Sequence, residues 1–150
     1  MAETVKYLRE ITGGTAPELV SYVVGATAVK KGDPVKIGAT QALVIPITAA
    51  GDTVVGVAEA DAAIGASILI RPVTAYSLFR IQCASTKKYV DATDRLTTAD
   101  FTVFTSGAMQ IDPATDSSHS VLMYQLNAAA GVADNTAQNY VECIFNVRRF

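Results

Sequence analysis

The sequence is poor in the residues that do covalent chemistry. It contains one histidine, His119, two cysteines and no tryptophan. Charged residues make up 17% of the 150 positions, below the roughly 25% of an average soluble protein. No run of about 18 apolar residues is present, so no helical membrane span is expected. The start, "MAETVKYLRE", lacks the apolar stretch of a signal peptide. The expectation is a protein made in a cytoplasm and kept there, or released by lysis.

Each scarcity excludes a class of activity. Cys83, Cys143 and His119 are too few and too scattered for a zinc set, and the two cysteines, each within an apolar run, read as buried thiols. "DATDRLTTAD" carries Asp91, Asp94 and Asp100 without the calcium-loop pattern, so these read as turn formers that bond their own backbone. Gly13-Gly14 is the one close glycine pair, and neither phosphate-cradling glycine motif occurs. Glu59 and Asp61 are paired carboxylates, but no aromatic residue adjoins them to shape a sugar cleft. His119 lies among Asp112, Asp116, Ser117, Ser118 and Ser120. A nucleophilic triad is a matter of geometry, and local crowding does not make one. No catalytic, cofactor or metal residue is therefore assigned, and the chain is not read as an enzyme. A hydrolase built on His119 is the one enzymatic alternative.

The net charge of −2 argues against nucleic acid as a partner. The basic doublets Lys30-Lys31, Lys87-Lys88 and Arg148-Arg149 are dispersed, as solvated edge charges are.

What the chain does have is half its residues apolar, punctuated by turns. "LVSYVV", "PVKIG", "ALVIPI", "TVVGVAEA", "ASILIRPV", "AYSLFRIQCA", "FTVF", "SVLMYQLN" and "YVECIFNVRR" are short β-branched runs separated by Gly, Asp, Pro or polar links. That pattern predicts an all-β fold, a small β-barrel or β-sandwich. Residues 1–16 read as an N-terminal arm, one or two helical turns or an extended strand. Val5, Leu8 and Ile11 recur near helical spacing, and Gly13-Gly14 ends the segment. The β domain is then 17–150, with Pro72 a candidate divide between lobes 17–72 and 73–150.

Alternation is clearest at the end of the chain. Val141, Cys143, Phe145 and Val147 share one face, opposite Tyr140, Glu142, Asn146 and Arg148. Phe79, Ile81 and Cys83 alternate with Leu78, Arg80 and Gln82 in the same way.

"VKKGDPVKIG", Val29 to Gly38, has the look of a lysine-bearing hairpin from a cofactor carrier domain. The acceptor motifs Met-Lys-Met and Asp-Lys-Ala are absent, however. The Gly32-Asp33 corner is echoed at Gly51-Asp52, each just before a β-branched run. The repetition reads as hairpin architecture, with Gly allowing positive φ and Asp bonding the turn.

The order "APELVSYVVGATAVKKGDPVKIG" then "ALVIPITAAGDTVVGVAEADAAIGASILIRP" resembles the small β-barrel lobe of tailed-bacteriophage head decoration (cement) proteins. The "KGD-V" hairpin and the "GVA…DAA" segment carry the resemblance. It covers about residues 16–72 and, more loosely, the closing "VECIFNVRRF". It implies a structural virion protein on the outer capsid surface. Its partners would be the major capsid protein and its own copies, as a homotrimer, and it would clamp neighbouring capsid subunits without chemistry. Candidate contacts are Val5, Tyr7, Leu8 and Ile11 of the arm, Tyr76, Arg80 and Tyr140 on strand faces, and the terminal Arg148, Arg149 and Phe150. The alternative is a receptor- or carbohydrate-binding module of a tail or fibre, using Tyr89, Phe101 and Phe104 near a long loop.

Overall fold

The turn-punctuated runs become strands in the computed structural model, which describes residues 4–40, 43–84, 87–126 and 139–146. In chain order these are β1 (Val5–Glu10), β2 (Val20–Val24), β3 (Pro34–Ile37), β4 (Leu43–Pro46), β5 (Gly56–Ala58), β6 (Ser67–Pro72) and β7 (Ser77–Gln82). A single helical turn, α1 (Asp91–Asp94), precedes β8 (Thr98–Val103), β9 (Gln110–Asp112), β10 (Val121–Leu126) and β11 (Tyr140–Phe145). The fold is all-β.

Strands β2–β6 close on themselves as a five-stranded barrel in the order β2-β4-β3-β5-β6. Every pairing is antiparallel except β2 with β4. The barrel interior is filled by Val24, Val29, Val35, Val44, Ala58, Ile68 and Ile70. Small branched side chains suit so narrow a cylinder, and each such burial contributes about 1.5–3 kcal/mol. Pro34 opens β3, where its missing N–H breaks no ladder.

The remaining strands form a six-stranded sheet in the order β1-β7-β11-β10-β8-β9. The sheet curls until β9 returns to β7. Beyond the end of β1, Cys83 forms a parallel bridge with Ile111, and the Ala84 N–H donates to the Ile111 carbonyl at 2.7 Å. Alternation places Phe79 and Ile81 of β7, and Cys83 just after it, with Val141, Cys143 and Phe145 of β11 in the core. Ring contacts run through it from Tyr7 to Phe79 (centroids 5.4 Å apart), from Phe79 to Phe145 (5.0 Å) and from Phe145 to Phe101 (5.9 Å).

The same core contains Ile47, Val54 and Val57 from the barrel half of the chain. The segments on either side of Pro72 therefore share one apolar interior. Asp33 adds a polar tie. Its buried carboxylate accepts from the Lys30 N–H at 2.9 Å, within its own turn. It also accepts from the Ser106 hydroxyl and from the Gly107 N–H at 2.6 Å, in the β8–β9 loop. Asp52 builds the echoed corner alike, accepting from the Thr48 and Ala49 N–H groups. Burial raises the Asp52 pKa, but bonds from Lys36, Thr48 and Ala49 outweigh it and bring it below the usual carboxylate value. The two corners differ in their glycines. Gly32 has φ +88°, whereas Gly51 is not among the positive-φ glycines.

Residues 5–10, read from sequence as part of an arm, are ordered by the chain's own β7. β1 pairs with β7 in register Val5↔Ile81, Lys6↔Arg80 and Tyr7↔Phe79. The register shifts between Tyr7 and Arg9, making Leu8 the extra residue of a β-bulge. Strand plus bulge imitates the helical spacing of Val5, Leu8 and Ile11.

Both cysteines are free and buried. Burial pushes the Cys83 thiol from 9.0 to about 11 and Cys143 well above its ordinary value. Burial also leads in raising the Tyr7 phenol from 10.0 to about 12, helped by its bond to Glu10. A folded-state pKa raised above the unfolded one gives stability that is complete below the unfolded value and lost as pH climbs to the folded value. Urea midpoints are therefore expected to hold up to about pH 8.5. They should fall progressively between pH 9 and 12. A flat midpoint across that window would contradict this burial account.

Candidate interaction surface

The antiparallel ladder β1-β7-β11 has one face in the core, so its alternate residues form an outward face. Lys6 of β1, Arg80 of β7 and Glu142 of β11 lie in one cross-strand row on it. The Arg80 guanidinium sits 4.9 Å from the centre of the Tyr140 ring. A cation over an aromatic face is attractive by about 0.5–2 kcal/mol. Arg80 Nε is buried, and among the described residues it has no hydrogen-bond partner. Glu142 is almost wholly buried, and its Oε1 lies 3.5 Å from Arg9 Nη1, whose side chain is about half exposed. The result is a cationic and aromatic patch anchored on one buried acid.

Of the residues expected to touch a partner, Arg80 and Tyr140 are thus brought together. Tyr76 is 59% exposed in the turn before β7, and its carbonyl accepts from the Ile11 N–H at 2.7 Å, which sets Ile11 and Tyr76 side by side at the same sheet edge. Leu8 is half-buried at the bulge. Val5 is corrected: it is fully buried in the core and presents no side chain to a partner. Tyr7 also faces inward. Its hydroxyl donates to Glu10 at 2.8 Å, and the Arg71 guanidinium lies 4.8 Å from its ring centre. Arg71 in turn bonds Glu59 at 2.9 Å and the Pro17 carbonyl at 3.0 Å. Tyr7 and Arg71 therefore fasten β1 to the barrel. Arg148, Arg149 and Phe150 lie outside the described residues.

No family model matches the chain, and no curated protein is significantly similar to it.

Three of the aspartates singled out in the sequence, Asp61, Asp94 and Asp100, serve turns and loops. Asp94 accepts from the Val90 N–H at 2.8 Å and pairs with Lys87 at 2.7 Å. Asp100 is buried and accepts from the Ser118 N–H, the Ser120 N–H and the Ser117 hydroxyl. Asp61 accepts from the Lys31 N–H at 2.8 Å. Among the described residues no three His, Cys, Asp or Glu side chains converge as a metal set.

His119 does not stand in a triad. Its Nδ1 meets both Asp116 Oδ1 at 2.7 Å and the Thr98 hydroxyl at 3.0 Å, so orienter and hydroxyl share one ring nitrogen. A nucleophile–base–orienter chain uses the two nitrogens separately. The hydroxyl of Ser120, one of the two serines that flank His119, donates to the Ala50 carbonyl at 2.8 Å.

Two of the three aromatics offered for a glycan site are corrected as well. Tyr89 and Phe101 are fully buried, and Phe104 is partly buried against the core. Glu142 and Arg71 were not singled out from the sequence. The only signal for either is a lone charge inside an otherwise apolar or alternating run.

Proposed function

We propose that this chain is a structural virion protein of a tailed bacteriophage that binds the outer surface of the capsid and clamps neighbouring major capsid subunits. The observation that carries the reading is the barrel. The segment resembling the decoration-protein lobe, about 16–72, contains every strand of a self-closed small barrel. Support also comes from how polar groups are used: the aspartates named above hold turns, and His119 lacks a triad's geometry. The attachment is contact energy multiplied by valency, with the homotrimer as the binding unit. A shell that binds such a ligand is stabilised by mass action.

Arg80 and Tyr140 are the proposed anchors on the partner-facing side. Arg and Tyr are common among residues that dominate interface energy. Arg80→Ala and Tyr140→Ala are each expected to weaken binding to bare heads of the cognate capsid protein by about tenfold, near 1.4 kcal/mol. Calorimetric melting of the free protein reports separately on the fold. Full-affinity binding by both variants would remove this patch from the interface.

A further inference from the structure

We propose that the cavity between the free edge of β1 and the outer wall of the barrel binds a small oxyanion, through carboxylate or phosphate oxygens. The cavity encloses about 190 Å³, room for roughly six waters. Val5, Lys6 and Tyr7 all line it. Successive side chains of a strand point to opposite faces, so a cavity touched by three in a row runs along the strand's edge. β1 is the edge strand of its sheet, with β7 on its other side. The Gln82 N–H donates to the Thr4 carbonyl at 2.8 Å, which makes Thr4 and Gln82 a hydrogen-bonded pair. Such pairs alternate with unbonded ones along an antiparallel ladder. Lys6 therefore bonds β7, while Val5 and Tyr7 turn their backbone groups, N–H donors included, to the cavity side.

The opposite wall is basic. Val57 of β5 faces Arg71 of β6, and Val57 packs into the sheet core, so this side of the pair lies outside the barrel. Glu59, two residues on, shares it. The Arg71 guanidinium is held in the cavity wall by two other lining residues. It lies 4.8 Å from the Tyr7 ring centre, and its Nε donates to Glu59 at 2.9 Å. One Nη1 hydrogen goes to the Pro17 carbonyl at 3.0 Å. A guanidinium has five N–H donors, and among the described residues no hydrogen bond uses the other three. Partly buried donors of this kind call for an acceptor. Lys6 and Lys31, both exposed, complete the charged lining, and the Lys6 ammonium has no hydrogen bond or ion pair among the described residues. Three cations, Lys6, Lys31 and Arg71, thus stand against one carboxylate, Glu59. Between low-dielectric walls such as Val5 and Val57, that excess focuses a field that draws in an anion. A bound oxyanion accepts from Arg71, from Lys6 and from the strand-edge N–H groups together. The site does not depend on the capsid reading.

The test follows the backbone amide NMR signals of the full chain at low, constant ionic strength. Separate titrations use inorganic phosphate and succinate, with succinamide as the neutral match to succinate. At least one of the two anions is expected to bind saturably, at about 1 mM or tighter, and the tighter one names the oxyanion. The Val5 and Tyr7 amides should shift, while the Lys6 amide between them, tied to β7, should move far less. Lys6→Gln should weaken binding about threefold. Glu59→Gln keeps an acceptor for Arg71 Nε and removes the opposing charge, so it should tighten binding about threefold. Both substitutions keep side-chain size, and each variant's melting temperature checks the fold independently. No saturable shift with either anion, saturable binding of succinamide as tight as that of succinate, equal shifts at Val5, Lys6 and Tyr7, or unchanged affinity in both variants would each overturn the proposal.

Discussion

Asp33→Ala is expected to lower the melting temperature by roughly 6–12 °C, reflecting a loss of about 3 kcal/mol in a chain of this size. The carboxylate is 1% exposed and serves three donors, two of them backbone N–H groups. Alanine leaves all three without an acceptor where water has little access, and an orphaned buried donor costs about 1–3 kcal/mol. Partial relaxation of the β8–β9 loop keeps the total near the lower end of their sum. Asp33→Asn retains one carbonyl oxygen and should lose about half as much. Asp61→Ala is the control, because its carboxylate takes the Lys31 N–H in an exposed turn. Equal melting shifts for Asp33→Ala and Asp61→Ala would show that the tie between barrel corner and sheet loop contributes nothing special.

Gly56→Ala should cost about 2–4 kcal/mol, seen as a lower urea midpoint. A Cβ at this position would run into Ile70 Cγ2 and would stand 2.6 Å from the Arg71 carbonyl oxygen. Ile70 fills the barrel and Arg71 lies in the paired backbone of β6, so neither can yield cheaply. Overpacking of this kind forces backbone shifts. Gly51→Ala meets nothing within 4 Å and should be near neutral. A neutral Gly56→Ala would mean that β5 and β6 are less closely packed than described.

Much of this fold is legible because one sheet face is dry. The period of two in Phe79, Ile81 and Cys83, and in Val141, Cys143 and Phe145, reports the core directly. The Gly-Asp echo likewise names two corners built by the same carboxylate bond. What escapes the sequence has physical causes. β9 is three residues, too short for alternation to register. The bulge at Leu8 converts a strand period into a helical-looking one. Tyr89 sits among lysines and aspartates, and its burial depends on packing remote in sequence.

The candidate surface is less legible. Arg80 and Tyr140 stand out as large side chains on the wet side of alternating strands, and they meet only because β7 and β11 are neighbours. Val5 and Tyr7 read as arm residues until β1 is placed in the sheet. Glu142 reads as solvent-facing and is buried, since alternation tells the side of the sheet but not what covers it.

The most direct test is to add the purified chain to expanded heads assembled from the cognate major capsid protein and lacking this protein. Occupancy and the calorimetric melting temperature of the shell are then measured together. The account predicts saturable, stoichiometric addition and a melting temperature that rises with occupancy. Heads that take up none of the protein, or that bind it and melt unchanged, would contradict the clamp.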